Sequence, residues 1–287
     1  MTEPPRNNLR GGAWLLADLS LNIWALSLVK WLGADYAASQ VVFFRAFIGL
    51  VLLVPFIRTR RDAFQNIPQL RLHLLRVVLA SVTLTASFFA IARLPFAVFS
   101  AISFTRPIIT MIFAALLLRE TIGWRGWSAA CVALVGILIA VNPGAVTWNA
   151  GLAAMCLVVL SASLVTVATR ALRTAAPVVM MTFYALGLTL CSAPWAVLSW
   201  QSVPSMHLGA FVLIGCFAQA AQYCFLRAHF FGTAGYLSVL SYTSLVFSVG
   251  AGFLFFGEVP ELSFAPGAAL VIGASVWVSL GQSRGAR

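Results

Sequence analysis

Long apolar runs, separated by short polar connections, recur along the whole chain. Each run has roughly 20 residues, which lets an α-helix cross a hydrocarbon core of about 30 Å. The pattern predicts an all-α integral membrane protein with ten transmembrane helices, at residues 12–32, 36–57, 72–92, 95–118, 125–141, 149–171, 176–200, 208–228, 233–256 and 264–282. The connections are too short to hold a domain outside the membrane.

The composition agrees with this pattern and the charges give it a direction. The chain is 61% hydrophobic and 9% charged, whereas soluble proteins have about 25% charged residues. Of the 18 lysines and arginines, three lie within spans, Lys30 and Arg93 lie at one side, and the remaining thirteen lie at the other. The positive-inside rule therefore predicts cytoplasmic N- and C-termini, and the net charge of +11 indicates topology rather than nucleic-acid binding.

The sequence offers no pattern for metal, cofactor or covalent chemistry. Its five cysteines lie in apolar runs without a C-x-x-C motif or histidines at ligand spacing. It has no H-E-x-x-H motif and no paired carboxylates within a span. We therefore predict no metal, no cofactor, no disulfide and no enzymatic activity.

A weak internal repeat divides the chain into two halves. An offset of 138 residues aligns Ala90 with Ala228, Ser100 with Ser238, Ser103 with Ser241, Thr105 with Thr243 and Glu120 with Glu258. Because five is odd, a second five-helix copy must be inverted in the membrane. Residues 1–143 and 144–287 are thus predicted to form two inverted five-helix repeats around a central cavity, with spans 125–141 and 264–282 at the periphery.

Arg45 and Arg106 are the most informative charges. Both fall about 18 Å from the cytoplasmic ends of their spans, counted at the helical rise, and neither has a carboxylate at matching depth. A cation at this depth usually faces a substrate or an ion path, and an arginine offers a carboxylate two parallel hydrogen bonds. The structural alternative for Arg106 is that it caps the carbonyl of Ser103, which Pro107 leaves without a donor.

A second charged pair is predicted closer to the cytoplasm. Asp18 lies roughly 10 Å deep and Arg76 about 7 Å deep by the same rise, so we predict a structural ion pair between them. Proton coupling through Asp18 is the alternative, because it is the only carboxylate well inside a span.

Uncharged polar residues complete the candidate site. Those at depths of roughly 12 to 16 Å suit a zwitterion or another small polar solute: Asn22, Ser161, Ser163, Tyr184, Gln219, Gln222, Ser241 and Tyr242. Ser103 lies beside Arg106, and Trp24 serves either as an aromatic wall or in packing. For each of these residues, a hydrogen bond between helices is the alternative.

Several of these features resemble a known family. They are Arg45 in the second span, Pro107 in the fourth, and the glutamates that close the fourth and ninth spans, in Leu117-Leu118-Arg119-Glu120 and Phe255-Phe256-Gly257-Glu258. The chain resembles an EamA-type member of the drug/metabolite transporter superfamily, most closely the YddG-like amino-acid exporters. The resemblance implies ten helices around a cavity and export of amino acids or related metabolites across the bacterial inner membrane. Leu245 stands where the first half has Pro107, so the halves need not move symmetrically.

The sequence therefore predicts a secondary transporter that exports small carboxylate-bearing metabolites by alternating access. A multidrug or cationic-metabolite exporter is the alternative, although such a protein should carry a carboxylate in its cavity. A channel-like facilitator is a further alternative. The predicted partners are a small-molecule substrate and the lipid bilayer, and the oligomeric state stays open.

Overall fold

A computed structural model describes residues 7–32, 35–65, 67, 69–91, 93–94, 96–141, 148–257 and 264–284. The described residues form α-helices, a short 3-10 helix at Arg61–Phe64, connecting turns and no strand. The α-helices are α1 (Asn8–Leu32), α2 (Ala38–Thr59), α3 (Leu70–Ile91), α4 (Phe96–Ser103), α5 (Arg106–Leu118), α6 (Trp124–Val141), α7 (Ala150–Ala171), α8 (Pro177–Leu198), α9 (Ser205–Phe231), α10 (Ala234–Ser241), α11 (Ser244–Phe256) and α12 (Phe264–Arg284).

Seven helical stretches among the described residues are long and apolar enough to cross a bilayer. The other three predicted spans fall on shorter apolar helices, at Arg106–Leu118, Trp124–Ile139 and Ala265–Val278. A multi-pass membrane protein is therefore supported, and the count of ten stays a prediction. The repeat boundary at residue 143 and the aligned Glu258 lie outside the described residues.

Contacts between helix ends and connections define two ends of the bundle. At one end, the backbone N–H of Asn7 bonds the carbonyl of Phe231 at 3.0 Å, so the start of α1 meets the end of α9. At the other end, Gln40 and Gln201 exchange two hydrogen bonds of 2.7 and 2.9 Å, so the start of α2 meets the α8–α9 connection. We call the end that holds Asn7 and Phe231 the arginine end, because Arg10 and Arg227 lie over the Phe231 ring and Arg170 bonds the Gly232 carbonyl there.

At the arginine end, the start of α1 lies very close to the connection between α9 and α10. A Cβ added at Gly11 would lie 2.7 Å from the backbone nitrogen of Gly232. One at Gly12 would lie 2.7 Å from the hydroxyl of Tyr236. Small residues allow membrane helices to approach in this way, so α1 packs directly on the α9–α10 connection.

Two predicted spans are broken, and this differs from the continuous helices expected. The first break is at Phe104 and Thr105, between α4 and α5, and the second is at Tyr242 and Thr243, between α10 and α11. All four helix boundaries agree with the offset of 138, since Ala234 follows Phe96 and Ser244 follows Arg106 by that number. The two breaks therefore occupy equivalent positions in the sequence alignment.

The two breaks also share their hydrogen bonding. The hydroxyl of Thr105 donates to the carbonyl of Ile102 at 2.7 Å, and that of Thr243 donates to the carbonyl of Leu240 at 2.7 Å. Threonine hydroxyls that bond a preceding carbonyl compete with the helix and bend it. Pro107 follows the first break only, so the proline is not the common cause.

The helices α6 and α12 pack against each other. They expose apolar side chains such as Val135 and Val276, as expected at a lipid-facing edge. Behind this pair, Met111, Val239, Tyr242 and Val271 form part of the largest buried core. Several of the remaining helices line a polar cavity.

Candidate functional site

A cavity of about 250 Å³ lies beside the two helix breaks and extends toward the arginine end. Helices α1, α4, α5, α7, α9, α10 and α11 contribute to its walls. The residues around it are Leu15, Asp18, Leu19, Ser103, Phe104, Arg106, Pro107, Thr110, Thr166, Arg170, Phe225, His229, Ala234, Leu237, Ser238, Ser241 and Ser244. The cavity thus combines apolar walls with charged groups and hydroxyls, as small-molecule sites do.

Arg106 is the most prominent cation of this cavity. It is the first residue of α5 and lies about 18 Å from the far end of that helix. Its side chain is exposed to the cavity and forms no hydrogen bond or ion pair with the described residues. The alternative role, capping the Ser103 carbonyl, is therefore not realised. The guanidinium is available to a ligand.

The start of α5 explains why Arg106 holds this position. Pro107 is accommodated in the first turn of a helix, where its missing N–H requires no partner. The Ser163 hydroxyl of α7 donates to the Arg106 carbonyl at 3.3 Å, which fastens the start of α5 to a neighbouring helix. The backbone of Arg106 is therefore held in place, and its side chain extends into the cavity.

Asp18 lies on α1 and lines the same cavity. It is only 6% exposed. Asn22, one turn later, donates to Asp18 Oδ1 at 2.7 Å and to the Asp18 carbonyl at 3.1 Å. No cation of the described chain lies within ion-pair distance of it, although Arg45 of α2 acts on it electrostatically.

The predicted ion pair between Asp18 and Arg76 is wrong. Arg76 instead donates from Nε to the Thr169 hydroxyl at 2.8 Å and from Nη1 to the Met180 carbonyl at 3.2 Å, beside the ring of Tyr184. The helix α3, which carries Arg76, packs on α7 and α8, whereas α1 packs mainly on α9. The two residues match in depth but lie on different sides of the bundle.

Other predicted site residues lie outside this cavity. Trp24 packs on Phe255 with ring centroids 5.0 Å apart, beside a separate, mainly apolar pocket between α1 and α11. Ser161 is buried between α3 and α7, where its hydroxyl lies 2.8 Å from that of Thr83. Tyr242 is fully buried in the core, so it and Ser161 do not line the cavity.

Gln219 and Gln222 of α9 do not line the cavity. A Cβ added at Gly49 of α2 would lie 2.7 Å from Gln219 Oε1, which locates this side chain at the contact between α2 and α9. The amide nitrogens of both glutamines are buried without a hydrogen-bond partner among the described residues. Such groups carry a free-energy penalty unless a ligand or water completes them.

A buried ion pair at the base of the cavity is not apparent from the sequence. Arg170 donates from Nη2 to both carboxylate oxygens of Glu120, at 2.7 and 2.9 Å, and from Nη1 to the Gly232 carbonyl at 3.1 Å. His229 also lines this base, and its Nδ1 lies 2.9 Å from the Phe225 carbonyl. In the sequence, Arg170 counts only as a topology charge, because nothing there shows that it pairs with Glu120.

Both halves of the chain match one family of transporters. The sequence profile of the EamA-like transporter family matches this chain twice, at residues 13–142 and at residues 149–280. Together these matches cover most of the chain.

Comparison with individual proteins gives relatives that span nearly their full lengths. The S-adenosylmethionine uptake transporter of Rickettsia prowazekii is 24% identical over 99% of this chain and 97% of its own length. The pseudopaline exporter CntI of Pseudomonas aeruginosa is 30% identical over 94% and 96%. A riboflavin transporter of Rhizobium johnstonii is 27% identical over 98% and 94%.

A solved crystal structure has the same fold. It superposes with a TM-score of 0.80, at 20% identity, over 96% of this chain and 97% of the other. The relatives in sequence carry transport names for different small metabolites and for both directions of transport.

Proposed function

This chain belongs to the EamA-like transporter family, and we propose on that premise that it is a secondary carrier that exports amino acids or related carboxylate-bearing metabolites by alternating access. Transport of small metabolites follows from the family and its relatives. The substrate class, the direction and the mechanism are our proposals.

The unpaired guanidinium of Arg106 carries the substrate proposal. It faces a cavity near mid-depth, and no described residue neutralises it. Desolvating a cation without a partner is unfavourable. A substrate carboxylate would satisfy it through two parallel hydrogen bonds. Lysine cannot reproduce this planar contact, since its ammonium is a point charge.

Two observations support two inverted halves of residues 1–143 and 144–287. The family profile matches each half separately. The helix breaks recur at an interval of 138 residues, with the same threonine hydrogen bond. Inverted repeats commonly hold their substrate where the halves meet, near the midplane, and the cavity lies beside both breaks.

We further propose that the protein lies in a bacterial inner membrane with both termini in the cytoplasm. The excess of arginine at the arginine end supports this orientation. Export is the direction named for the Pseudomonas relative, and uptake is the one named for the Rickettsia relative. A secondary carrier is reversible, so the gradient decides the net direction.

A cationic-metabolite exporter is the second candidate, because Asp18 places a carboxylate in the same cavity. The two candidates differ in which charge of the ligand is essential. A cationic metabolite would need Asp18 and tolerate the loss of Arg106. A carboxylate substrate requires Arg106.

The test is counterflow in proteoliposomes with the twenty amino acids, S-adenosylmethionine, riboflavin and a panel of organic cations. For the best amino acid, wild type should prefer the acid over its carboxamide by about 1.5–3 kcal/mol. The Arg106→Gln variant should lose this preference, and Arg106→Lys should recover it only in part. Arg58→Gln, which removes an exposed arginine at the end of α2, should behave as wild type. Transport of cations alone would contradict the proposal.

A further inference from the structure

The cavity contains opposite charges that do not neutralise each other. Asp18 enters it from α1 and Arg106 enters it from α5, and no ion pair joins them. A charged side chain in a poorly solvated site is unfavourable unless a group of opposite charge or a hydrogen-bond partner compensates it. A ligand that carries both signs would complete both groups at once.

We propose that Asp18 binds the ammonium group of a zwitterionic substrate whose carboxylate lies on Arg106. This inference rests on the proposed function and narrows its substrate class to α-amino acids and derivatives that keep a free amino group.

The local geometry prepares Asp18 for this task. The side chain of Asn22 holds Oδ1 at 2.7 Å and the Asp18 carbonyl at 3.1 Å, which orients the carboxylate. The second carboxylate oxygen accepts no hydrogen bond from the described residues. An ammonium group has three donors, so it needs further acceptors beside the carboxylate.

Hydroxyls on α10 and α11 provide those acceptors. Ser238, Ser241 and Ser244 line the same cavity. The Ser241 hydroxyl donates to the Ser238 carbonyl at 2.7 Å, which leaves its oxygen lone pairs free to accept. Ser244 begins α11 as Arg106 begins α5, 138 residues earlier. The equivalent positions of the two halves thus provide a hydroxyl in one case and a cation in the other.

The other charged or titratable groups at the cavity are already engaged. Arg170 is held by Glu120, and the His229 ring is held at the Phe225 carbonyl. Arg45 attracts Asp18 from a greater distance than an ion pair. Asp18 is therefore the one carboxylate among the described cavity residues that is open to a ligand's cation.

The cavity volume favours a small ligand. At about 250 Å³, it falls below the range of roughly 300–1,000 Å³ that is common for ligand pockets. An amino acid is a suitable occupant of this space. The two charges would bind its head group, and the apolar walls formed by Leu15, Leu19 and Leu237 would receive its side chain.

The experiment measures binding to the purified, detergent-solubilised protein. The probes are the amino acid that counterflow identifies as best, its 2-hydroxy acid analogue and its carboxamide. These analogues remove the ammonium and the carboxylate, respectively, with little change in size. Wild type should bind each analogue about 10- to 100-fold more weakly, as expected for the loss of a charged hydrogen bond.

The variants assign each preference to one residue. Asp18→Asn should abolish the preference for the amino acid over the hydroxy acid and keep the preference over the carboxamide. Arg106→Gln should do the reverse. Asp62→Asn, at an exposed carboxylate outside the cavity, should keep both. If Asp18→Asn does not fold, Asp18→Glu keeps the charge and should keep the preference over the hydroxy acid.

The two proposals fail in different ways. If wild type binds the hydroxy acid as tightly as the amino acid but rejects the carboxamide, the ammonium site is wrong and the carboxylate carrier stands. If Asp18→Asn keeps both preferences and loses proton-driven transport, Asp18 is a coupling group and the inference is again overturned. If no amino acid binds but another carboxylate-bearing metabolite does, the inference fails and the proposed function stands. If no carboxylate-bearing metabolite binds, both fail.

Discussion

Arg170 of α7 holds the Glu120 carboxylate through a single nitrogen, Nη2, which donates to both carboxylate oxygens at 2.7 and 2.9 Å. The same carboxylate accepts a hydrogen bond from the backbone N–H of Ala234 at 3.2 Å, at the start of α10. Both side chains are nearly inaccessible, with 3% and 9% exposure. The pair joins three separate segments at the base of the cavity.

Breaking this pair should destabilise the protein strongly. Glu120→Gln or Arg170→Gln leaves one buried charge without its partner, and the expected loss is about 3–5 kcal/mol. The double variant should lose less than the sum of the single variants. Thermal unfolding in detergent measures this, with Arg58→Gln as the control for removing an exposed arginine. Strictly additive losses would contradict a direct interaction.

A second prediction concerns the residues that end α5 and α11. Arg119 ends α5 with φ of 53° and Gly257 ends α11 with φ of 64°, again 138 residues apart. This left-handed conformation is unfavourable for residues other than glycine by roughly 1 kcal/mol. Arg119→Gly should therefore raise thermal stability, by about 0.5–1 kcal/mol.

Matched variants separate backbone relief from the loss of a charge. Arg119→Ala removes the same charge without the glycine backbone and should not stabilise. Gly257→Ala meets no atom within 4 Å and should still destabilise, because only its φ is unfavourable. Gly209→Ala, in an open position within α9, should be neutral or stabilising. Stabilisation by Gly257→Ala would refute this account.

The observed partners of Arg76 lead to a third prediction. In a double-mutant cycle, Asp18→Asn and Arg76→Gln should be additive, since these residues do not pair. Arg76→Gln and Thr169→Val should couple, because the Arg76 Nε bonds the Thr169 hydroxyl at 2.8 Å. Melting temperatures of the three single variants, the two double variants and wild type decide between the two pairings. Coupling of Asp18 with Arg76 would restore the ion pair that the structure lacks.

Orientation in the membrane is the fourth prediction. Thr59 and Ser202 are exposed at opposite ends of the bundle. In a background without the native cysteines, Ser202→Cys should react with an impermeant maleimide on intact cells. Thr59→Cys should react only after the cells are permeabilised. The reverse pattern would invert the proposed topology.

The sequence predicts the helices well because hydrophobicity and length determine them. The start and end of α7, at residues 150 and 171, differ little from the predicted 149–171. The offset of 138 also anticipates the matching helix breaks, although neither break was predicted. Threonines that disrupt a helix and threonines that tolerate it look alike in sequence.

Lateral position within the bundle is what the sequence does not encode. Counting residues gives the depth of Asp18 and Arg76 but not the side of the cavity that each occupies, and this is why the predicted pair fails. Arg106 could be placed from the sequence because its depth is counted within a single span and Pro107 is its direct neighbour. Glu120 and Arg170 lie 50 residues apart, and only the packing of α5 on α7 reveals that they pair.

The helix breaks have a mechanical consequence. Phe104 and Tyr242, one from each break, face each other with ring centroids 6.5 Å apart, so both long spans are jointed at a common point. When a rigid helix tilts, both of its ends move together. Its two ends therefore cannot move at different times. A span that is broken in the middle allows the helix on one side of the break to tilt while the helix on the other side keeps its contacts. In the alternating-access mechanism that we propose, this separation would allow the cavity to close toward one side before it opens toward the other.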